Sequence, residues 1–241
     1  EEIFPYWRGS DSGRGKTLED VVAARLPEDV KQAVRDKIFS LNQTDHAQGH
    51  ILPDVESWLH LGIAGLRDKV EAAQSQAEVQ TKEQQVFYEA AHIALQAAQK
   101  FIRRYAEMAR CMARDSQETT RKQELARIAA ICDWLTEKPP RDFWEALQAV
   151  WFLFVLLQIE SNASSFSPGR FDQYMLPFLE RDLASGTLTQ PEAQTLLEHL
   201  WLKFNEIVLL RSSHSARYFA GFPIGFNIVL GGQLPADGDG D

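Results

Sequence analysis

Six histidines, two cysteines and scattered hydroxyl and carboxylate side chains are the groups in this 241-residue chain that could do chemistry. His46 and His50 stand four residues apart, a spacing that presents two imidazoles on one face of a helix, as a zinc site requires. Gly49 and Pro53 in the same stretch work against a helix there, so no metal site is assigned. Ser213, His214 and Ser215 set hydroxyls beside an imidazole. No Gly-x-Ser-x-Gly elbow accompanies them and no acid partner is suggested, so a hydrolase is not read from them. Cys111 and Cys132 lie in helical patterns without a C-x-x-C pair, and are expected to be two buried thiols in a reducing compartment. Asp237 to Asp241 alternates Asp and Gly like the opening of a calcium loop. The Glu that such a loop needs at its twelfth position is missing, so the run is read as a turn.

The bulk properties exclude whole classes of partner. A net charge of −9 and a pI near 5.2 argue against nucleic acid, whose binders carry a basic face, and against anionic lipid. The opening Glu1-Glu2-Ile3-Phe4-Pro5 has neither the basic nor the apolar region of a signal peptide. The longest apolar run, Ala146 to Ile159, is broken by Gln148 and Gln158 and falls short of the roughly 20 residues that span a bilayer. The expected location is the cytoplasm, with no membrane contact.

The elements that must position any site are mostly helices. Residues 17–39 read as two short helices broken by Pro27, followed by a polar loop over 42–53 and a helix from Asp54 to about Gln76. Thr81-Lys82-Glu83-Gln84 fits a capping box. Val86, Ala90, Ile93, Ala97, Phe101, Tyr105, Met108 and Met112 then keep the spacing of one helix face. At about 1.5 Å per residue this predicts a rod of roughly 45 Å, suited to scaffolding a large body. Further helices are predicted over 119–135, ended by Pro139-Pro140, and over 141–159, where Phe143, Trp144, Leu147, Val150, Trp151, Phe154 and Val155 leave little polar face. Ser167 is expected to cap a helix beginning at Pro168, and Thr189 with Glu192 to open a last helix ending near Leu210. The six tryptophans are taken as packing residues. Phe226 to Leu230 is the only clear strand. It meets Gly231-Gly232 with no returning strand after it, the pattern of a truncated turn.

Four segments together carry a resemblance: Glu2-Ile3-Phe4-Pro5-Tyr6-Trp7; Gly49-His50-Ile51-Leu52-Pro53-Asp54; Glu160-Ser161-Asn162 through Ser167-Pro168-Gly169-Arg170-Phe171-Asp172-Gln173-Tyr174; and Phe219-Ala220-Gly221-Phe222-Pro223 leading to Asn227 and Gly231-Gly232. In this order and at these separations the chain resembles the glycyl radical enzymes of the pyruvate formate-lyase type, especially the branch with glycerol and diol dehydratases. The Ser-Pro-Gly-Arg-Phe-Asp-Gln-Tyr stretch is the most specific part. The resemblance implies that residues 1–241 are an incomplete N-terminal part of a ten-stranded α/β barrel enclosed by helices, mainly α in this segment, with the first barrel strand near 225–231. It implies a homodimeric parent enzyme carrying a glycyl radical, installed by an activating enzyme that uses S-adenosylmethionine and an iron–sulfur cluster. A cysteine relays that radical to a diol, polyol or 2-keto acid. Neither the Gly-Cys-x-Glu-like motif nor the radical glycine motif occurs here, and neither Cys111 nor Cys132 is given the radical role. No catalytic residue is therefore assigned, and the segment alone is expected to be inactive.

What the resemblance leaves to this segment is part of the substrate pocket. His50 matches a loop histidine that hydrogen-bonds substrate hydroxyls, and Ser164 and Ser165 match a position where glycerol dehydratases have His-Ser. Ser164 thus replaces a histidine, and Phe222 falls where a tyrosine is common, so the pocket is expected to be less polar than the glycerol type. Read without the resemblance, His50 is a loop histidine bonded to backbone, and Ser164 and Ser165 are helix-entry residues. Arg170 and Asp172 are expected to be structural, Asp172 favouring the helix dipole and Arg170 tying the loop by a salt bridge. Two functions follow: scaffold and pocket wall of a formate acetyltransferase-like lyase or a dehydratase, or a non-catalytic helical binding or assembly module.

Overall fold

The computed structural model describes residues 25–38, 50–76, 81–161, 165–207, 225 and 227–231. Expectations placed on residues 2–7, His46, Ser164, the 213–215 triplet, Phe222 and the 237–241 run lie outside the described residues. Seven helices are found among the described residues: α1 (Glu28–Arg35), α2 (Val55–Gln76), α3 (Lys82–Asp115), α4 (Thr119–Leu135), α5 (Phe143–Ser161), α6 (Phe171–Ala184) and α7 (Gln190–Phe204). They fall into two compact units, one of residues 1–52, 157–167 and 207–227, the other of residues 53–156, 168–206 and 228–241.

The larger unit is a helical assembly whose starts and stops follow from local chemistry. Thr81 accepts the Gln84 N–H while the Gln84 side chain accepts the Thr81 N–H, so the capping box satisfies two donors that a helix start leaves open. Thr189 and Glu192 repeat the device at α7, with Pro191 in its first turn. Asp54 accepts the Ser57 N–H at 2.9 Å before α2, and hydrogen bonds from Ser57 hold its carboxyl below the usual range. At the head of α5, Asp182 accepts the Phe143 N–H at 2.7 Å and Asp142 accepts the Glu145 N–H at 2.8 Å. Burial, then the charges of Glu145 and Asp182, push the Asp142 carboxyl upward. Glu145 is itself buried and is compensated by Arg141, whose guanidinium and backbone N–H both donate to it.

α2 is not one straight helix. Gly62 sits at φ 62° and ψ −176°, and a side chain there would meet the backbone of Lys138 and Pro139 at 2.6 Å. The kink lets the Ala64 N–H donate to the Glu137 carbonyl at 2.8 Å, so the turn after α4 docks into the break. Trp58 reinforces the contact by donating its indole N–H to the Ala149 carbonyl of α5.

α3 is the long helix that its periodicity predicts, but it buries a different stripe from the one its larger apolar residues trace. Its inward face is Ala98, Ile102, Ala106, Ala109 and Ala113, mostly small residues that let α4 approach closely. Most of the larger apolar residues of the predicted face point outward: Val86 is 56% exposed, Ile93 61% and Met108 51%, with Tyr105 and Met112 also exposed and Phe87 beside them, while Phe101 is half-buried. The spacing identified a helix but could not say which of two apolar stripes was buried.

α5 is the core helix of the larger unit. Phe143, Ala146, Leu147, Ala149, Val150, Phe152 and Phe154 are all buried. Phe152 meets Phe101 and Tyr105 edge-on, and Phe154 and Trp151 pack on Phe204 of α7. By length and composition its Phe143–Glu160 stretch is apolar enough to cross a membrane, a test that a buried core helix also passes; half of it is buried inside the protein.

One of the two cysteines departs from expectation. Cys132 is buried, and burial pushes its thiol up to about 11, but Cys111 is exposed on α3. The expectation of two buried thiols came from the helical pattern alone, which does not fix a residue's face. A thiol-specific reagent is expected to label one cysteine rapidly in the native protein and the second only after unfolding, with peptide mass mapping placing the fast site at Cys111. Fast labelling of Cys132 would contradict this packing.

Candidate functional site

The smaller unit brings together residues that are far apart in sequence. Ile51 forms a parallel bridge with Phe166, and the Ser167 N–H donates to the Ile51 carbonyl at 3.0 Å. His50 and Ser165 immediately precede the two bridged residues, so the pairing sets their backbones side by side. Phe166 is buried, which gives the bridge an apolar anchor.

Both residues carry backbone strain. Non-glycine residues seldom adopt positive φ, because the Cβ crowds the carbonyl oxygen. His50 has φ 59° and Ser165 has φ 61°; of the other described non-glycine residues only Lys37 shares that region. Strain of this kind persists where the surroundings over-determine a conformation, and such places cluster at ligand clamps. His50 is exposed, while Ser165 is 7% exposed. Among the described residues neither side chain makes a hydrogen bond. A hydroxyl and an imidazole carried on adjacent backbones can donate to and accept from a small hydroxylated ligand.

Ser167 does not cap the following helix. α6 begins at Phe171, and the Ser167 hydroxyl accepts the Asn227 N–H at 3.2 Å. The Asn227 side chain donates in turn to the Gly225 carbonyl at 3.4 Å. Gly225 has φ 70°, and a Cβ built on it would lie 2.3 Å from the Ser165 Oγ. Gly225 and Asn227 therefore close on the Ser165 turn, a contact that local reading missed. Its signal in the sequence was a single glycine two residues after Pro223, punctuation that marks a turn but names no distant partner. Gln158 is a further polar group of this unit: both its amide atoms are buried and have no hydrogen bond among the described residues.

In the larger unit the continuation of the same motif holds the segment that follows Asn227. Gly169 bridges Ile228 in parallel, and the Val229 N–H donates to the Gly169 carbonyl at 2.7 Å. Asp172 accepts the Gly231 N–H at 2.7 Å and lies 3.8 Å from the Arg170 guanidinium, as a structural reading of both residues expects. The ion pair is loose, and two of the Arg170 guanidinium nitrogens are buried without a hydrogen bond among the described residues. The Tyr174 hydroxyl donates to the Pro168 carbonyl, and burial pushes its ionisation well above the usual range. Residues 227–231, where the first barrel strand is expected, make this one bridge and form no strand among the described residues; a strand needs partners for its backbone groups. The crevice lined by Trp58, Gly62, Ile63, Ile102, Leu135 and Pro140 sits at the α2 kink and has room for little more than a water molecule.

Comparison with known proteins agrees with the motif reading. A family model described as pyruvate formate lyase-like matches residues 1–240. The chain is 33% identical to the probable dehydratase YbiW of Escherichia coli over 243 residues, covering 98% of this chain and 29% of that protein. It is 34% identical to the (2S)-3-sulfopropanediol dehydratase of Klebsiella oxytoca over 239 residues, covering 96% of this chain and 28% of that one. Among solved structures, the glycerol-bound B12-independent glycerol dehydratase of Clostridium butyricum superposes with a TM-score of 0.83 at 30% identity, covering 96% of this chain and 29% of that chain. A structure from Roseburia inulinivorans concerned with 1,2-propanediol dehydration gives a TM-score of 0.84 at 35% identity, covering 95% and 27%. The chain thus spans a little under a third of the length of these relatives.

Proposed function

The chain belongs to the pyruvate formate lyase-like family, and from that premise we propose that it supplies scaffold and part of the substrate pocket to a glycyl radical dehydratase or lyase. The observation that carries this reading is the pairing of His50 with Ser165, both in left-handed backbone and on adjacent segments. In this reading the two side chains bind and orient a hydroxyl of a small diol or polyol. By the motif match alone, Ser164 and Phe222 would also belong to the pocket and would make it less polar than a His and a Tyr. The family's radical supplies hydrogen abstraction; this chain's residues hold the substrate and keep it from water. The dehydratases among the relatives favour water elimination over formate acetyltransferase chemistry.

The reading assigns the radical glycine and its relay cysteine to sequence other than these 241 residues. Cys111 on α3 is open to solvent and Cys132 on α4 is buried, and neither lies in a Gly-Cys-x-Glu-like motif, so neither is given the relay role. The 241 residues alone are then inactive. The working enzyme is a cytoplasmic homodimer that depends on an S-adenosylmethionine and iron–sulfur activating enzyme. The test is anaerobic activation of the full-length protein, read by the paramagnetic signal of a glycyl radical and by aldehyde formation from 1,2-propanediol and glycerol. Radical formation without turnover of any hydroxylated substrate would overturn the pocket assignment. Absence of the radical would overturn the family chemistry for this protein.

A second reading has its own observation. The outward stripe of α3, from Val86 and Phe87 to Met108 and Met112, is the kind of surface a binding or assembly module would use.

A further inference from the structure

Resting on the reading of Ser165 as a substrate ligand, the geometry points to Gly225 as a positioning residue: its bare backbone lies against the Ser165 hydroxyl and holds it towards the substrate. Three observations meet at this contact. Ser165 is buried and its backbone is held at φ 61°, so its hydroxyl has few directions open to it. Gly225 forms one wall around that hydroxyl, since a Cβ there would stand 2.3 Å from Ser165 Oγ and 3.3 Å from Ser165 Cβ. Gly225 also has φ 70°, a conformation that glycine tolerates and that makes the close approach possible.

The position of Gly225 is itself held. Asn227 donates its backbone N–H to Ser167 and its side-chain amide to the Gly225 carbonyl, so the Gly225 segment is tied through Asn227 to the turn that carries Ser165. Gly225 cannot retreat from an added methyl without disturbing these bonds. The serine hydroxyl, which turns about a single bond, must rotate away. A change at residue 225 is therefore transmitted to the orientation of one specific oxygen.

The test uses four forms of the full-length activated enzyme: wild type, Gly225→Ala, Ser165→Gly and the double variant. Gly225→Ala is expected to raise KM for 1,2-propanediol about tenfold, with kcat changed much less, because a misdirected hydroxyl weakens binding. In the Ser165→Gly background the same substitution is expected to leave KM unchanged, since no hydroxyl remains to be turned. Thermal melts of the four proteins provide a readout that needs no turnover: the destabilisation by Gly225→Ala should shrink once Ser165 Oγ is gone. Additive effects in both measurements would overturn the contact and with it the positioning role. Non-additive melts with KM unaffected by Ser165→Gly would instead retain the contact, overturn the role in substrate positioning, and sink the pocket reading of Ser165. KM raised by Ser165→Gly with additive melts would leave the pocket reading standing and overturn Gly225 alone.

Discussion

Replacing Gly62 by alanine is expected to lower folding stability by about 4 kcal/mol, measured as a shift of the urea midpoint at unchanged slope. Two independent costs combine there. The pair φ 62°, ψ −176° lies in a region that is essentially glycine-only, and holding an alanine in it costs on the order of 1–3 kcal/mol. The new methyl would also stand 2.6 Å from backbone atoms of Lys138 and Pro139, and overpacking of this kind costs about 1–3 kcal/mol more. Neither neighbour can rotate away, because both are main chain. The Ala64 N–H bond to the Glu137 carbonyl is placed at the same junction and would be strained with them. A loss below about 1 kcal/mol would mean that the break in α2 is not held as described.

Ser165→Gly is expected to separate stability from function. Holding a serine at φ 61° costs roughly 1–2 kcal/mol, a strain that glycine does not feel. Glycine's extra unfolded-state freedom costs about 0.5–1 kcal/mol in the other direction, so the net change in stability should stay within about 1 kcal/mol. In the proposed role of Ser165 as a substrate ligand, its hydrogen bond to the substrate is lost outright. At about 1.4 kcal/mol per factor of ten, a bond worth about 1–3 kcal/mol corresponds to a KM raised roughly 5- to 140-fold in the full-length enzyme. A large stability loss with unchanged KM would make Ser165 a structural residue, as it is when read simply as a helix-entry serine.

These two positions mark the boundary between what could be read locally and what could not. The capping boxes at Thr81 and Thr189, the stop at Pro139-Pro140 and the apolar character of α5 were legible, because each depends on groups within a turn or two of chain. The motifs around His50 and Ser165 were legible as a family pattern, and the family match covers both. Their left-handed backbones were not: nothing in the type of a histidine or a serine announces a positive φ that the surrounding fold imposes.

Ser167 shows the same limit from the other side. Next to Pro168 its hydroxyl had a local use as a cap, yet it accepts the N–H of Asn227, sixty residues away, because the fold brings that donor to it. The periodicity of α3 established a helix and an apolar stripe, but two stripes were available. The alanine face was buried because close helix packing favours small side chains, leaving Val86, Ile93 and Met108 outside. Sequence alone therefore determined the helices, most of their ends and the family, which rest on short-range hydrogen bonding and on motif identity. Only the tertiary structure decided which faces are buried, where Gly62 breaks α2, and that Gly225 closes on Ser165, because each of those outcomes depends on a contact between residues the chain order keeps far apart.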